Sequence, residues 1–193
     1  MPYLYALVVF ISATIWLLPP VRQYKTKFFY FFLLLGLADA LPWMVIRVFY
    51  FKILSYYLVV SCLLLFSLFD KETLKQKFLL VILLFITVIV IAYGFTNPGY
   101  HRLLFFVLHG LILLRITHLM GLELLRTRSL NLFFVVLVFY ELLTLAKFFE
   151  ILVKVADLSV LTNFYIVTGV QIAIGIFFTI FREDNRRLSV KLE

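Results

Sequence analysis

The sequence predicts an all-α, polytopic membrane protein: a seven-transmembrane up-and-down helix bundle with its N-terminus outside and its C-terminus cytoplasmic. Three observations carry that prediction. Of the 193 residues, 65% are hydrophobic and 15% charged, whereas soluble globular domains carry roughly 45–50% apolar and ~25% charged residues. The apolar residues fall into repeated runs of roughly 20, the length at which a helix rising 1.5 Å per residue crosses a hydrocarbon layer of ~30 Å. Finally, Lys and Arg alternate between rich and poor connections along the chain.

The runs cover Pro2–Leu18, Phe28–Ile46, Val48–Phe69, Phe78–Thr96, Leu103–Leu125, Leu130–Val155 and Val160–Phe181. The first lacks a basic leader and an A-x-A cleavage pattern, and Pro19-Pro20 opens a basic loop after it, so it is expected to remain as a helix rather than serve as a signal. Runs two and three meet where Arg47 and Lys52 bracket a short apolar stretch; a turn anywhere from Val45 to Leu54 fits, and a re-entrant segment there would leave six spans. Elsewhere Pro, Gly, Asn and charge clusters mark the ends, as in Asn97-Pro98-Gly99-Tyr100-His101-Arg102. Residues 1–181 therefore form one seven-helix domain, and 182–193 a short basic cytoplasmic tail.

Orientation follows from the cations. Arg22, Lys25, Lys27, Lys71, Lys75, Lys77, Arg126, Arg128, Arg182, Arg186, Arg187 and Lys191 fall on one side; only Arg47, Lys52, Arg102 and Lys154 fall on the other. The Lys/Arg excess marks the cytoplasmic face. It also accounts for the net charge of +8 without a nucleic-acid partner. The implied partners are the bilayer itself, anionic lipid headgroups at the cytoplasmic rim, and a membrane or cytoplasmic signalling partner. Tyr3, Tyr5, Trp43, Tyr56 and Tyr100 fall near the predicted interfaces, where amphipathic rings anchor helices.

Charged side chains deep in a bilayer cost at least ~2.5 kcal/mol each and so call for a partner or a purpose. Asp39, Arg115, Glu141 and Gln171 all lie eleven or twelve residues into their runs, about 16–18 Å deep. This shared depth predicts a midplane cluster in which the Arg115 fork holds Asp39 or Glu141 with Gln171 nearby, leaving one carboxylate as a proton-binding group. Glu141, Thr144, Lys147 and Glu150 recur every three residues and drift slowly round one helix face, either locally neutralised against a neighbour or lining a polar cavity. His109 is expected to face a neighbouring helix or a pore. The ligand- or proton-binding candidates are thus Asp39, His109, Arg115, Glu141, Lys147 and Gln171. Gly110 and Gly121, on one face of the same helix, are expected to admit a close neighbour.

No cofactor, metal or catalytic residue is predicted. His109 and His118 point to opposite sides of their helix and His101 lies too far along it to share an ion, and no histidine on another helix offers a second haem ligand. Ser55, Ser61 and Ser67 lack the glycine-rich turn expected of an intramembrane serine nucleophile. The topology is similar to that of microbial rhodopsins, but the last run has no lysine for a retinal linkage. It also resembles the seven-helix sensory regions that precede bacterial histidine kinases, down to the charged exit Arg182-Glu183-Asp184-Asn185-Arg186-Arg187. That resemblance rests on architecture and implies sensing. The expected function is a non-enzymatic sensory, signalling or partner-coupling module of the bacterial inner membrane. A small-solute or proton-coupled transporter is the rival, and a lipid-modifying membrane enzyme the third.

Overall fold

A computed structural model describes residues 2–42, 53–94, 98–153 and 158–191. The described residues are mainly helical: α1 (Pro2–Trp16), α2 (Pro19–Arg22), α3 (Phe29–Ala40), α4 (Ile53–Ser67), α5 (Lys71–Gln76), α6 (Phe78–Gly94), α7 (Pro98–Thr127), α8 (Leu132–Val153) and α9 (Leu158–Ile180). Two short strands, β1 (Ser129–Asn131) and β2 (Ser189–Lys191), pair antiparallel, with Leu130 opposite Val190. Among the described residues, two helical stretches, Gly99–Thr127 and Asn163–Ile180, are long and apolar enough to cross a membrane; Ala6–Arg22, Phe29–Ala38, Leu54–Ser67 and Phe78–Gly94 are shorter apolar stretches. The turn between runs two and three, with Trp43, Arg47 and Lys52, lies outside the described residues, as does Lys154.

Local chemistry explains the boundaries. Pro19 and Pro20 occupy the first turn of α2, where a missing N–H costs nothing. Asp70 caps α5 by accepting from the Thr73 N–H at 2.9 Å. Hydrogen bonds from the Thr73 side chain and, second, from its N–H hold this carboxyl below the ordinary carboxylate range, since they favour the charged form. Lys25 and Arg128 take left-handed backbone conformations, φ 66° and 51°, in the turns that follow α2 and α7.

Packing closes a ring that follows chain order except where α4 meets α7 and α9 returns to α1. α1 lies against α3, α3 against α4, α4 against α7, α7 against α8, α8 against α9, and α9 returns to α1; α6 sits outside, against α4 and α7. The centre near the basic loops is aromatic. Trp16 meets Tyr140 at 4.8 Å between ring centroids, Phe32 meets Phe178 at 4.8 Å and Phe133 meets Phe178 at 5.0 Å, all tilted or edge-on as ring quadrupoles prefer. Gly36 and Gly175 make this possible. A Cβ on Gly36 would stand 2.5 Å from the Trp16 carbonyl oxygen, and one on Gly175 2.9 Å from the Ile15 side chain. The close helix approaches therefore fall at these two glycines. Among the described residues, nothing lies within 4 Å of a Cβ built on Gly110 or Gly121, so the close approach the sequence leads one to expect there is found instead at Gly36 and Gly175.

The tail carries more structure than its composition suggests. Gln23, fully buried, donates through Nε2 to the carbonyls of Phe178 (3.1 Å) and Phe181 (2.8 Å) and accepts the Glu183 N–H. Arg22 Nε donates to the Ile180 carbonyl at 3.2 Å. The first loop thereby satisfies carbonyls that the end of α9 leaves without helical partners. Lys27 pairs with Glu183 at 2.6 Å, and Ser189 Oγ donates to Ser129 Oγ at 2.7 Å beside the strand pair.

Candidate functional site

Three helices bring three polar side chains together inside the bundle. α4 supplies Ser61, α7 supplies His109 and α8 supplies Glu141, and all three are buried, Glu141 completely. His109 is the bridge. Its Nδ1 stands 2.9 Å from Glu141 Oε2, and its Nε2 stands 3.1 Å from Ser61 Oγ. Phe105, one turn earlier on α7, stacks on the imidazole at 4.3 Å and holds the ring plane.

Hydrogen-bond accounting sets the direction of this chain. Ser61 Oγ lies 2.8 Å from the Tyr57 carbonyl one turn back and donates to it, the usual habit of a serine inside a helix. Its single proton is then spent, so toward His109 it accepts, and Nε2 carries a hydrogen. The short Nδ1–Oε2 separation then holds one further proton, covalently on Glu141 or on His109. Glu141 Oε1 has no hydrogen-bond partner among the described residues. The geometry thus describes a proton shared across two helices and terminated on a third.

The other predicted residues are placed as follows. Gln171 on α9 donates to Thr144 Oγ1 at 3.3 Å, so the polar stripe of α8 is met by α7 at Glu141 and by α9 one turn on. Lys147 continues the stripe, its Nζ 4.9 Å from the Phe164 ring centroid. Thr168, a turn before Gln171, is buried, and its hydroxyl has no partner among the described residues. Arg115 does not hold Glu141. It donates from Nε to the Leu68 carbonyl at 3.3 Å, meets His118 at 3.1 Å and lies over the Phe69 ring at 4.6 Å. The reason is helical phase: His109 and Arg115 are six residues apart, about 240° round α7, so only one of them faces α8. Asp39 lies on α3; its side chain, like that of Glu150, is outside the described residues. Among the described residues, the expected Arg115–Glu141 pairing gives way to a His109–Glu141 pair with Ser61, an adjacent Gln171–Thr144 pair, and Arg115 turned toward the end of α4, while the expected place of Asp39 lies outside them.

No family model, curated protein or solved structure matches this chain. Ser61 is the functional candidate that sequence reasoning missed. A serine within an apolar helix carries no signal of its own, and only the packing of α4 on α7 brings it to His109. Among the described residues no group of three His, Cys, Asp or Glu could hold a metal ion.

Proposed function

We propose that this chain is a seven-span integral membrane module of the bacterial inner membrane that senses or couples to a partner through the proton shared by His109 and Glu141. The single observation that carries the reading is the unbroken path Tyr57 carbonyl, Ser61, His109, Glu141 across α4, α7 and α8. Moving or removing the shared proton changes bonds on three helices at once, the requirement for a local titration to bias a bundle between two packings.

Several features support the membrane setting. α7 and α9 each carry a stretch long and apolar enough to span, and α8, at 22 residues, is about 33 Å long. α6 exposes Phe78, Leu79, Leu80, Leu83, Ile86 and Val90, a continuous apolar face of a kind that soluble monomers rarely present to water. The twelve-to-four division of cations across alternate connections supports an odd number of spans with the N-terminus outside.

Serine hydrolases use the same order of atoms, but their serine stands open to substrate before a set of N–H donors. Ser61 is 2% exposed within α4, its hydroxyl bonded to the Tyr57 carbonyl. The arrangement favours proton holding over nucleophilic attack.

The test is pH-dependent amide hydrogen exchange of the full chain in lipid nanodiscs. Lowering pH is expected to alter protection in α4, α7 and α8 together in the native protein and to leave Glu141→Gln unresponsive. A response in Glu141→Gln or His109→Gln equal to that of the native protein would refute the reading. In a Cys62→Ser background, Arg128→Cys and Tyr100→Cys should label from opposite sides of sealed vesicles; labelling from one side would refute the span count.

A further inference from the structure

We propose that the turn joining α1 to α3 binds one anionic phospholipid, its phosphate among Arg22, Lys25 and Arg182 and an acyl chain in the apolar groove on the other face of the turn. The proposal rests on the membrane reading above and names a partner and its site. Two cavities adjoin there. One, of about 590 Å³, has Arg22, Lys25, Thr179 and Arg182 in its wall. The other, of about 440 Å³, is lined by Leu17, Pro20, Val21, Tyr24, Phe29 and Leu33. Val21 and Tyr24 belong to both walls, so a single two-residue partition separates a cationic chamber from an oily one.

The cations are positioned rather than merely present. Arg22 is tied through Nε to the Ile180 carbonyl, Lys25 sits on a left-handed turn residue with its Nζ 5.6 Å from the Tyr24 ring centroid, and Arg182 follows the end of α9. Two acids are described beside them: Asp184, 3.3 Å from Arg182 Nε and largely exposed, and Glu183, whose carboxyl is taken by Lys27. With Glu183 neutralised by Lys27, three positive charges against Asp184 leave the chamber electropositive, and the forked donors of two guanidinium groups suit bidentate contact with the oxygens of a tetrahedral phosphate. A soluble anion would satisfy the cations and leave the adjoining groove unfilled. A diacyl phospholipid satisfies both, and Val21 and Tyr24, 77% and 58% exposed, stand where its glycerol region would lie.

The experiment titrates the purified full chain, in a neutral detergent, with phosphatidylglycerol, with phosphatidylcholine of the same acyl chains, and with inorganic phosphate. Binding is read by thermal shift and native mass spectrometry. Phosphatidylglycerol should bind in preference to both others. A cation near a membrane surface contributes about 5-fold in affinity for anionic lipid, so Arg22→Gln/Lys25→Gln/Arg182→Gln should weaken binding roughly 100-fold. Lys25→Gln alone, which leaves the Arg22 bond to α9 intact, should weaken it about 5-fold and keeps the test valid if the triple variant misfolds. Leu33→Trp, which fills the groove, should weaken phosphatidylglycerol and leave phosphate unchanged. Equal binding of phosphatidylcholine, an unaltered affinity in Lys25→Gln, or phosphate binding as tightly as phosphatidylglycerol with no effect of Leu33→Trp would each overturn the proposal. Residence in the membrane is read separately, by resistance of cell membranes to carbonate extraction, so its failure is distinguishable from failure of the lipid site.

Discussion

Replacing the two ends of the His109–Glu141 pair by leucine, singly and together, measures whether a proton is shared there. Glu141→Leu strands a buried imidazole nitrogen, at a cost of about 1–3 kcal/mol. His109→Leu strands more: Glu141 is completely buried, its Oε1 already lacks a partner among the described residues, and Oε2 loses its own. An unpaired acid in that position costs about 3–5 kcal/mol. The double variant strands neither group and loses chiefly the imidazole's stacking on Phe105, about 1 kcal/mol. The singles therefore sum to about 4–8 kcal/mol and the double variant costs far less, a coupling of at least about 3 kcal/mol. Magnitude decides the interpretation, because neutral hydrogen bonds between membrane helices couple by about 0.6 kcal/mol on average and about 1.7 at most. The assay is reversible unfolding of the purified protein in mixed micelles. A coupling at or below the neutral range would refute the shared proton and reduce the pair to an ordinary interhelical bond.

Three further outcomes follow from the packing and the basic end. Gly36→Ala drives a methyl to 2.5 Å from the Trp16 carbonyl, a backbone atom that cannot swing aside, and should lower stability by about 1–3 kcal/mol. Gly110→Ala, with nothing within 4 Å, should be neutral or stabilising by up to about 1 kcal/mol, and equal melting temperatures for the two variants would contradict the helix placement. Glu183 is held above its ordinary pKa of 4.5, chiefly because burial disfavours its charge, with the Lys27 pair only partly offsetting this. A carboxyl raised on folding contributes stability that is complete below 4.5 and lost as pH climbs through the folded value. The melting temperature of the native protein should therefore rise relative to Glu183→Gln as pH is lowered from 7 toward 4, and a constant difference across that range would count against it.

The candidate site was half legible in the sequence. Glu141 stands out because a carboxyl in an apolar run has to be partnered, and Gln171 stands out at matching depth on another run. The choice of partner was not legible, since Arg115 and His109 satisfy the same demand for a donor and differ only in which face of α7 they occupy. The glycines show the same limit. Gly110 and Gly121 share a helix face by spacing, whereas Gly36 and Gly175 lie on different helices and become neighbours of Trp16 only when α3 and α9 both close on α1.

Sequence by itself determined the helical class and most element boundaries, because the length and spacing of apolar runs, the prolines of Pro19-Pro20 and the cap at Asp70 act over a few residues and depend on no distant contact. Tertiary structure alone decided the ring closure of α1 on α9, the folding of the tail against the first loop through Gln23, and the meeting of Ser61 with His109. Each of those joins residues from separate helices or distant loops, and their encounter is set by helix phase and packing, quantities to which hydrophobic periodicity is blind when a helix is apolar on every side.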